Sequence, residues 1–405
     1  MPAFNTYRLS GYEGPGSLTD TEREAIESWI GKNSKAYESF EAGSRRNHNN
    51  RRYSSPGKPR WLMDLYDHPP VNGLRSLAQI AMWKSRLAEE RGRLDEALEH
   101  CLVVARAGKH WQQSVMIIEQ LIGWAISGLA HDEIRRIVRR RDLDAATLQN
   151  FAGQLTDVYG GAYPQFNFEG ERLLALDTVQ RSFTKGGPGG GHLLSGACLG
   201  AMAALDPNNL KNWKFRAVFT PISIVLGMIH VGRNRTVEKF HLVYDELAAR
   251  AKLSPYQRRQ RGIGDINEIV GPSSWLATVR YCVVHMLLPN ERVIAIAFRG
   301  QAEHEAVLTI LAIERYRLAA GEYPPDLEAL VQDGYIDKVP DDPYSDGPLL
   351  YRRMDDDFVL YGVGENFTDD GGELVRDEEG RPKRWGAKDG GDMIFWPVYR
   401  RQVEK

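Results

Sequence analysis

Apolar positions recur at helical spacing over most of this chain, and the period changes near its end. The turning point is residues 302–340. Ala306, Leu308, Ile310, Leu311, Ile313 and Leu318 fall near one helical face, with Glu305, Glu314, Arg315 and Arg317 on the wet side. Gly321 offers a left-handed stop. Pro324 and Pro325 cannot continue that helix but suit the first turn of another, whose N-terminus Asp326 and Glu328 favour and whose inner face is Leu327, Leu330 and Val331. Beyond Pro340 the spacing becomes strand-like in 349–353, 358–363 and 393–396, with turn chemistry at Asp341-Asp342-Pro343 and Ser345-Asp346-Gly347-Pro348. The pattern predicts a long helix covered by a three-stranded antiparallel sheet, a small α+β module.

Upstream the chain reads as helical. Residues 1–16 form a Gly/Pro/Tyr-rich arm, followed by a helix capped at Thr19 or Asp20 with Ile26, Trp29 and Ile30 as its stripe. In 74–108, Leu77, Ile80, Ala81, Leu87 and Ala88 mark one helix, Gly92 a turn, and Cys101, Leu102 and Ala105 the next. This hairpin looks like one tetratricopeptide unit; a lone hairpin cannot bury its own face, so neighbours must stack on it. Further helices are expected in 111–129, 143–158, 237–251 and 275–288, and a small-residue helix or core segment in 193–205. The longest uncharged apolar run, 217–232, contains Pro221 and His230. It falls short of the ~20 residues of a membrane span and predicts a buried core helix. The expected architecture is mainly α: an N-terminal arm and helix (1–60), a tetratricopeptide-like helical layer (61–185), a second helical region (186–300) and the α+β module (301–405).

Composition narrows this picture. A length of 405 residues suits two or three domains, and 42% hydrophobic content supports a sizeable core. A net charge of -2 argues against a dedicated nucleic-acid binder. Cys101, Cys198 and Cys282 are odd in number, far apart and outside any C-x-x-C, which predicts buried reduced thiols. The first residues carry no apolar signal core, which points to the cytoplasm; a preceding segment would instead make the protein periplasmic or membrane-anchored.

Candidate chemistry is sparse. Arginines cluster at 135–141, at Arg258, Arg259 and Arg261, and at Arg45, Arg46, Arg51 and Arg52. Each is a solvated face or loop, or a patch for an anionic polymer. The Gly-rich stretch 184–192 has Thr184 and Lys185 before its glycines, the reverse of a phosphate loop, and predicts a flexible surface loop. His304-Glu305 lacks the second His of H-E-x-x-H, and no G-x-S-x-G occurs. Glu169, Glu171 and Asp177 are close enough in sequence to share a proton at a hydrolase site.

The C-terminal acidic loop holds Asp369, Asp370 and Glu373, with Asp389 and Asp392 just before the last strand and Gly371, Gly372, Gly390 and Gly391 between them. Hard cations such as calcium want several oxygens from a flexible loop; a solvated acidic loop that keeps the sheet edge from pairing is the other reading. The series 312–317, Gly321-Glu322-Tyr323-Pro324, Asp341-Asp342-Pro343-Tyr344, Gly364-Glu365-Asn366 and Asp369-Asp370-Gly371-Gly372 resembles the globular end of type II secretion major pseudopilins. The resemblance implies a helix, a G-x-Y-P corner, a D-P turn and a calcium-holding loop. Pseudopilins begin with an uninterrupted membrane helix; here the helix is internal, and Arg299, Glu303, His304 and Glu305 charge its upstream part. The whole chain also resembles uncharacterised bacterial proteins that carry such a module behind a helical region. The expected function is a non-enzymatic protein-binding or assembly scaffold with a protein partner, no membrane span, and calcium at the acidic loop. The alternatives are a hydrolase at the Glu169, Glu171 and Asp177 carboxylates and an anionic-polymer binder.

Overall fold

Helices dominate, and one of them joins the two larger of three hydrophobic clusters among the described residues. The computed structural model describes residues 12, 14–49, 52–54, 61–62, 71–140, 142–196, 212–271, 274–373, 375–376, 378 and 391–397. Most of the expected N-terminal arm, Arg51, residues 197–205 with Cys198, Arg141, Asp389 and Gly390 lie outside them.

Helix α1 (Asp20–Lys32) starts at a capping box in which Thr19 and Glu22 satisfy each other's backbone N–H groups. After α2 (Ser34–Ser44), the hairpin of α3 (Val71–Glu90) and α4 (Leu94–Gln112) reverses at Gly92, whose φ of +71° suits glycine. Helix α5 (Ile117–Val138) crosses α4 where Gly108 and Gly123 face each other. A Cβ on Gly123 would collide with the backbone of Gln112 and Gly108, so the crossing exists only because both positions lack a side chain. Helices α6 (Ala145–Tyr159) and α7 (Glu169–Ser182) follow.

The second half contains α8 (Trp213–Ile229), α9 (Arg233–Arg250), and the short α10 (Pro255–Gln260), α11 (Asn267–Val270), α12 (Trp275–Arg280) and α13 (Cys282–Leu287). Helix α14 (Arg292–Ala320) ends where Gly321, at φ +80°, donates its N–H to Arg317 O at 2.8 Å. It begins upstream of the expected 302 because Val293, Ile294 and Ala297 continue its apolar period against the second core. The expected boundary at 300/301 therefore falls inside a continuous helix. After α15 (Glu328–Gln332), strands β1 (Leu350–Arg353), β2 (Phe358–Gly362) and β3 (Met393–Trp396) form an antiparallel sheet in sequence order. Leu350 pairs with Tyr361, and Gly362 with Met393.

The larger core joins α2 to α6, the 302–313 part of α14, and the sheet; Phe358 stacks on Trp396 within it, ring centroids 5.2 Å apart. The smaller core gathers Phe166, Phe168, Val179, Phe240, Tyr244 and Val284 around Ile294 and Ala297. Gly300 lies against the Trp124 ring, which leaves no room for a larger residue on α14 there.

Two expectations are corrected. The 217–229 run is a helix, but not a buried one: Val218, Pro221, Ile222, Ile224, Val225 and Met228 all face outward. Its uncharged composition could not say whether a neighbour covers it; Ser223 is buried and Phe219, Leu226, Gly227 and Ile229 are half-buried. The Gly-rich stretch is not a loose loop. Phe183 and Leu193 bridge its ends, Gly191 O accepts from Arg233 N at 3.1 Å, and Gly190 leaves no space for a Cβ beside Asn234. Its glycines permit close approach to the start of α9, and a carbonyl takes the helix N–H that a phosphate would need.

Candidate functional site

The candidate acidic site is only partly assembled. Asp392 is buried just before β3, and its carboxylate accepts Asp370 N at 3.1 Å and Gly372 N at 2.8 Å. Asp369 accepts the Tyr361 hydroxyl at 3.1 Å and Gly371 N at 2.8 Å, while Asp370 accepts Asn366 Nδ2 at 2.7 Å. Glu373 is exposed and Asp389 lies outside the described residues. Burial, then the nearby Asp370 and Asp369 charges, push the Asp392 carboxyl upward against the N–H bonds that hold it ionised. Among the described residues no three His, Cys, Asp or Glu side chains converge in a metal-holding group. The loop is organised by its own N–H groups around Asp392.

Asp342, read from sequence as turn chemistry, anchors the same end of the sheet. Its buried carboxylate accepts Tyr344 N at 2.9 Å and Val363 N at 2.6 Å. Burial pushes its pKa up to about 6. The D-P dipeptide signalled the turn; the grip on Val363, at the exit of β2, had no local signal.

The carboxylates of the hydrolase alternative serve the fold. Glu171 accepts Ile117 N at 2.8 Å, at the start of α5. Asp177 accepts Arg181 Nε at 3.1 Å and Leu62 N at 3.0 Å, and Glu169 pairs with Arg172 at 3.0 Å. They share one helix but no common proton.

The arginines at 135–140 are likewise engaged. Arg86 and Arg136 both reach the buried Glu133 at 2.9 Å. Arg136 also pairs with Glu89, and Arg140 reaches Glu89 at 2.9 Å. The two arginines hold the Glu133 carboxyl well below the usual range despite its burial. Arg135 pairs with Asp132. Arg259 covers the Phe367 ring at 4.5 Å. These guanidinium groups are internal cross-links of the fold, which the sequence concealed because Glu89 and Glu133 lie on two different helices.

One polar cluster escaped sequence reading. His131 on α5 and His304 on α14 are both buried, with Nε2 and Nδ1 3.1 Å apart. The Tyr159 ring meets His304 edge-on at 4.6 Å, and its hydroxyl donates to Gln112 Oε1 at 3.0 Å. Gln112 in turn donates to Ser127 Oγ at 2.9 Å. Burial, with His131 beside it, holds His304 well below the usual imidazole range and so neutral. Sealed from solvent, the pair ties α5 to α14 and offers no route to a substrate. His304 was visible only as a failed H-E-x-x-H; its partner lies 173 residues away.

The least ordinary surface is on α8. Met228 is 80% exposed and Trp213 72%, with Val218, Ile222, Ile224 and Val225 open between them. Helix α12 packs beside α8 and adds Trp275, 74% exposed, and Leu276. Single exposed apolar residues are ordinary; a contiguous set along a helix is not. Among the described residues no single helix is long and apolar enough to cross a membrane; α8 and α9 meet the length and composition together but are bent by 84°. No protein-family model matches the chain, and no curated protein or solved structure matches it significantly.

Proposed function

We propose that this chain is a non-enzymatic docking and assembly protein, attached to its partner through the apolar face of α8 and the adjoining α12. The observation that carries the reading is that the face of α8 from Trp213 to Met228 lines up six exposed large apolar side chains on one helix, Trp213, Val218, Ile222, Ile224, Val225 and Met228. An open apolar helix of this extent costs solvation unless something covers it. The carboxylates of Glu169, Glu171 and Asp177, each held in a structural bond, support the non-catalytic side of the reading. The α3–α4 hairpin supports a tetratricopeptide-like helical layer, and the helix-sheet unit a pseudopilin-like module, as finer parts of the same proposal. Calcium at the acidic loop also belongs to it; its support is the pair of N–H bonds from Asp370 and Gly372 that set the acidic turn beside the Asp392 carboxylate.

The test is a Val225→Glu, Met228→Glu variant compared with the parent chain in native pull-down and mass photometry. Loss of co-purifying species or of self-association, with an unchanged circular dichroism spectrum, supports the reading. A parent chain that remains a lone monomer in both assays, and in the membrane fraction is absent, removes it.

A further inference from the structure

We infer that the partner of this face is the surface of an anionic lipid bilayer, with α8 lying in the interface plane; this rests on the docking reading above.

Length and direction come first. Helix α8 has 17 residues, so it is about 25 Å long at 1.5 Å per residue, short of the ~30 Å hydrocarbon layer. Its continuation turns away by 84° into α9. That second arm carries Arg233, Arg235, Glu238, Lys239, Asp245, Glu246 and Arg250 and packs Phe240, Val243, Tyr244 and Leu247 into the smaller core. The core thus holds α9, and α8, too short by itself to span, is left at the protein's edge in a position to lie on a bilayer.

Chemistry comes next. From 217 to 229 no residue is charged. Trp213 opens α8 and Trp275 opens the helix packed beside it, both mostly exposed. Tryptophan favours the headgroup boundary, where its ring is buried and its N–H stays wet.

Charge separates lipid from a neutral partner. Between Asp206 and Glu238 there is no acidic residue, whereas Lys211, Lys214, Arg216, Arg233 and Arg235 flank the apolar run. Arg280 ends α12. None of Lys214, Arg233, Arg235 and Arg280 has a carboxylate partner among the described residues, in contrast to Arg86, Arg136 and Arg250 elsewhere. A chain with a net charge of -2 has gathered these cations around the open apolar face of α8. Apolar insertion with basic flanks is how in-plane helices hold an anionic surface.

The experiment is flotation of the full chain with phosphatidylcholine vesicles, with and without phosphatidylglycerol, at low and high salt. The expected result is binding that requires the anionic lipid and weakens with salt. Val225→Glu, Met228→Glu should weaken it by about tenfold or more, and Arg233→Ala, Arg235→Ala should reduce it on anionic vesicles. Circular dichroism and thermal midpoints establish that both variants fold. Equal binding to neutral and anionic vesicles, or binding unaffected by the glutamates, overturns the inference. So does absence of flotation. If in that case mass photometry shows an oligomer or complex that the glutamates disperse, a protein covers the face and the docking reading stands without the lipid; if it shows only a monomer, both fall.

Discussion

His131 Nε2 and His304 Nδ1 meet at 3.1 Å, a hydrogen bond between two buried rings that joins the helical layer to the helix leading into the C-terminal sheet. Its neighbourhood contains Glu303, 3.9 Å from His131 Nδ1, and the Tyr159 and Tyr163 rings. Against its burial, His131 first and then Arg135 hold Glu303 ionised.

Acid should therefore loosen this joint. The folded state keeps His304 neutral, while the unfolded chain takes up a proton near pH ~6.5. The contribution is complete above that pH and is lost as pH falls below it. His100, lowered to about 4 by burial, acts in the same sense. His304→Gln can still accept from His131 and cannot titrate. Urea unfolding should show a flatter acid limb for the variant, with a cost of about 1–3 kcal/mol at neutral pH. An unchanged limb would remove His304 from this role.

Asp342 should act in the opposite sense. Its carboxyl is raised to about 6, so the folded state holds the proton more tightly than the unfolded chain. Its contribution is greatest below the usual carboxylate pKa of ~3.9 and is lost as pH rises through about 6. Asp342→Asn keeps one acceptor for Tyr344 N or Val363 N and loses the other. We expect a cost of about 1–3 kcal/mol at neutral pH and loss of this pH dependence, read by the same titration.

Glu133→Gln should be among the most damaging single changes. It takes away the buried carboxylate that both Arg86 and Arg136 reach and leaves buried cationic charge under-compensated, a loss of about 3–5 kcal/mol. Replacing Arg86 and Glu133 together by apolar residues of similar volume should recover much of that, because the cost arises from the stranded charge. A mild Glu133→Gln midpoint would mean that water reaches the pair.

Gly123→Ala tests the crossing of α4 and α5. The added methyl meets backbone, which cannot swing aside as a side chain would. The expected destabilisation is at the upper end of the about 1–3 kcal/mol typical of overpacking, read from the denaturant midpoint.

Asp369→Asn, Asp370→Asn tests calcium. The variant should lower the melting temperature in calcium and change little in chelator. Equal shifts in both solutions would leave the loop held by Asp392 and its N–H donors alone.

The C-terminal strands were legible because short apolar runs bounded by turn residues at 349–353 and 358–363 are a local property of the chain, as is the glycine stop at Gly321. The hairpin at Gly92 was legible for the same reason. What escaped was relational. Arg136 reads as part of a basic run until Glu89 from another helix arrives beside it. His131 carries no mark of its distant partner. The 217–229 run is apolar whether or not anything covers it, so burial was the wrong inference from a correct element. In the acidic loop, composition gave Asp369 and Asp370 and Asp392 equal standing, whereas the fold buries only Asp392 and arranges the turn around it.

Helix α14 has Ile294 in one core and Ile310 in the other, without interruption. The sheet is therefore no detachable cassette. Genetic exchange that cut at residue 300 would sever a rod that both halves grip, and a recombinant carrying only the downstream piece would inherit a greasy, unmatched flank. Any ancestor that acquired this ending by fusion had to acquire the splint along with it.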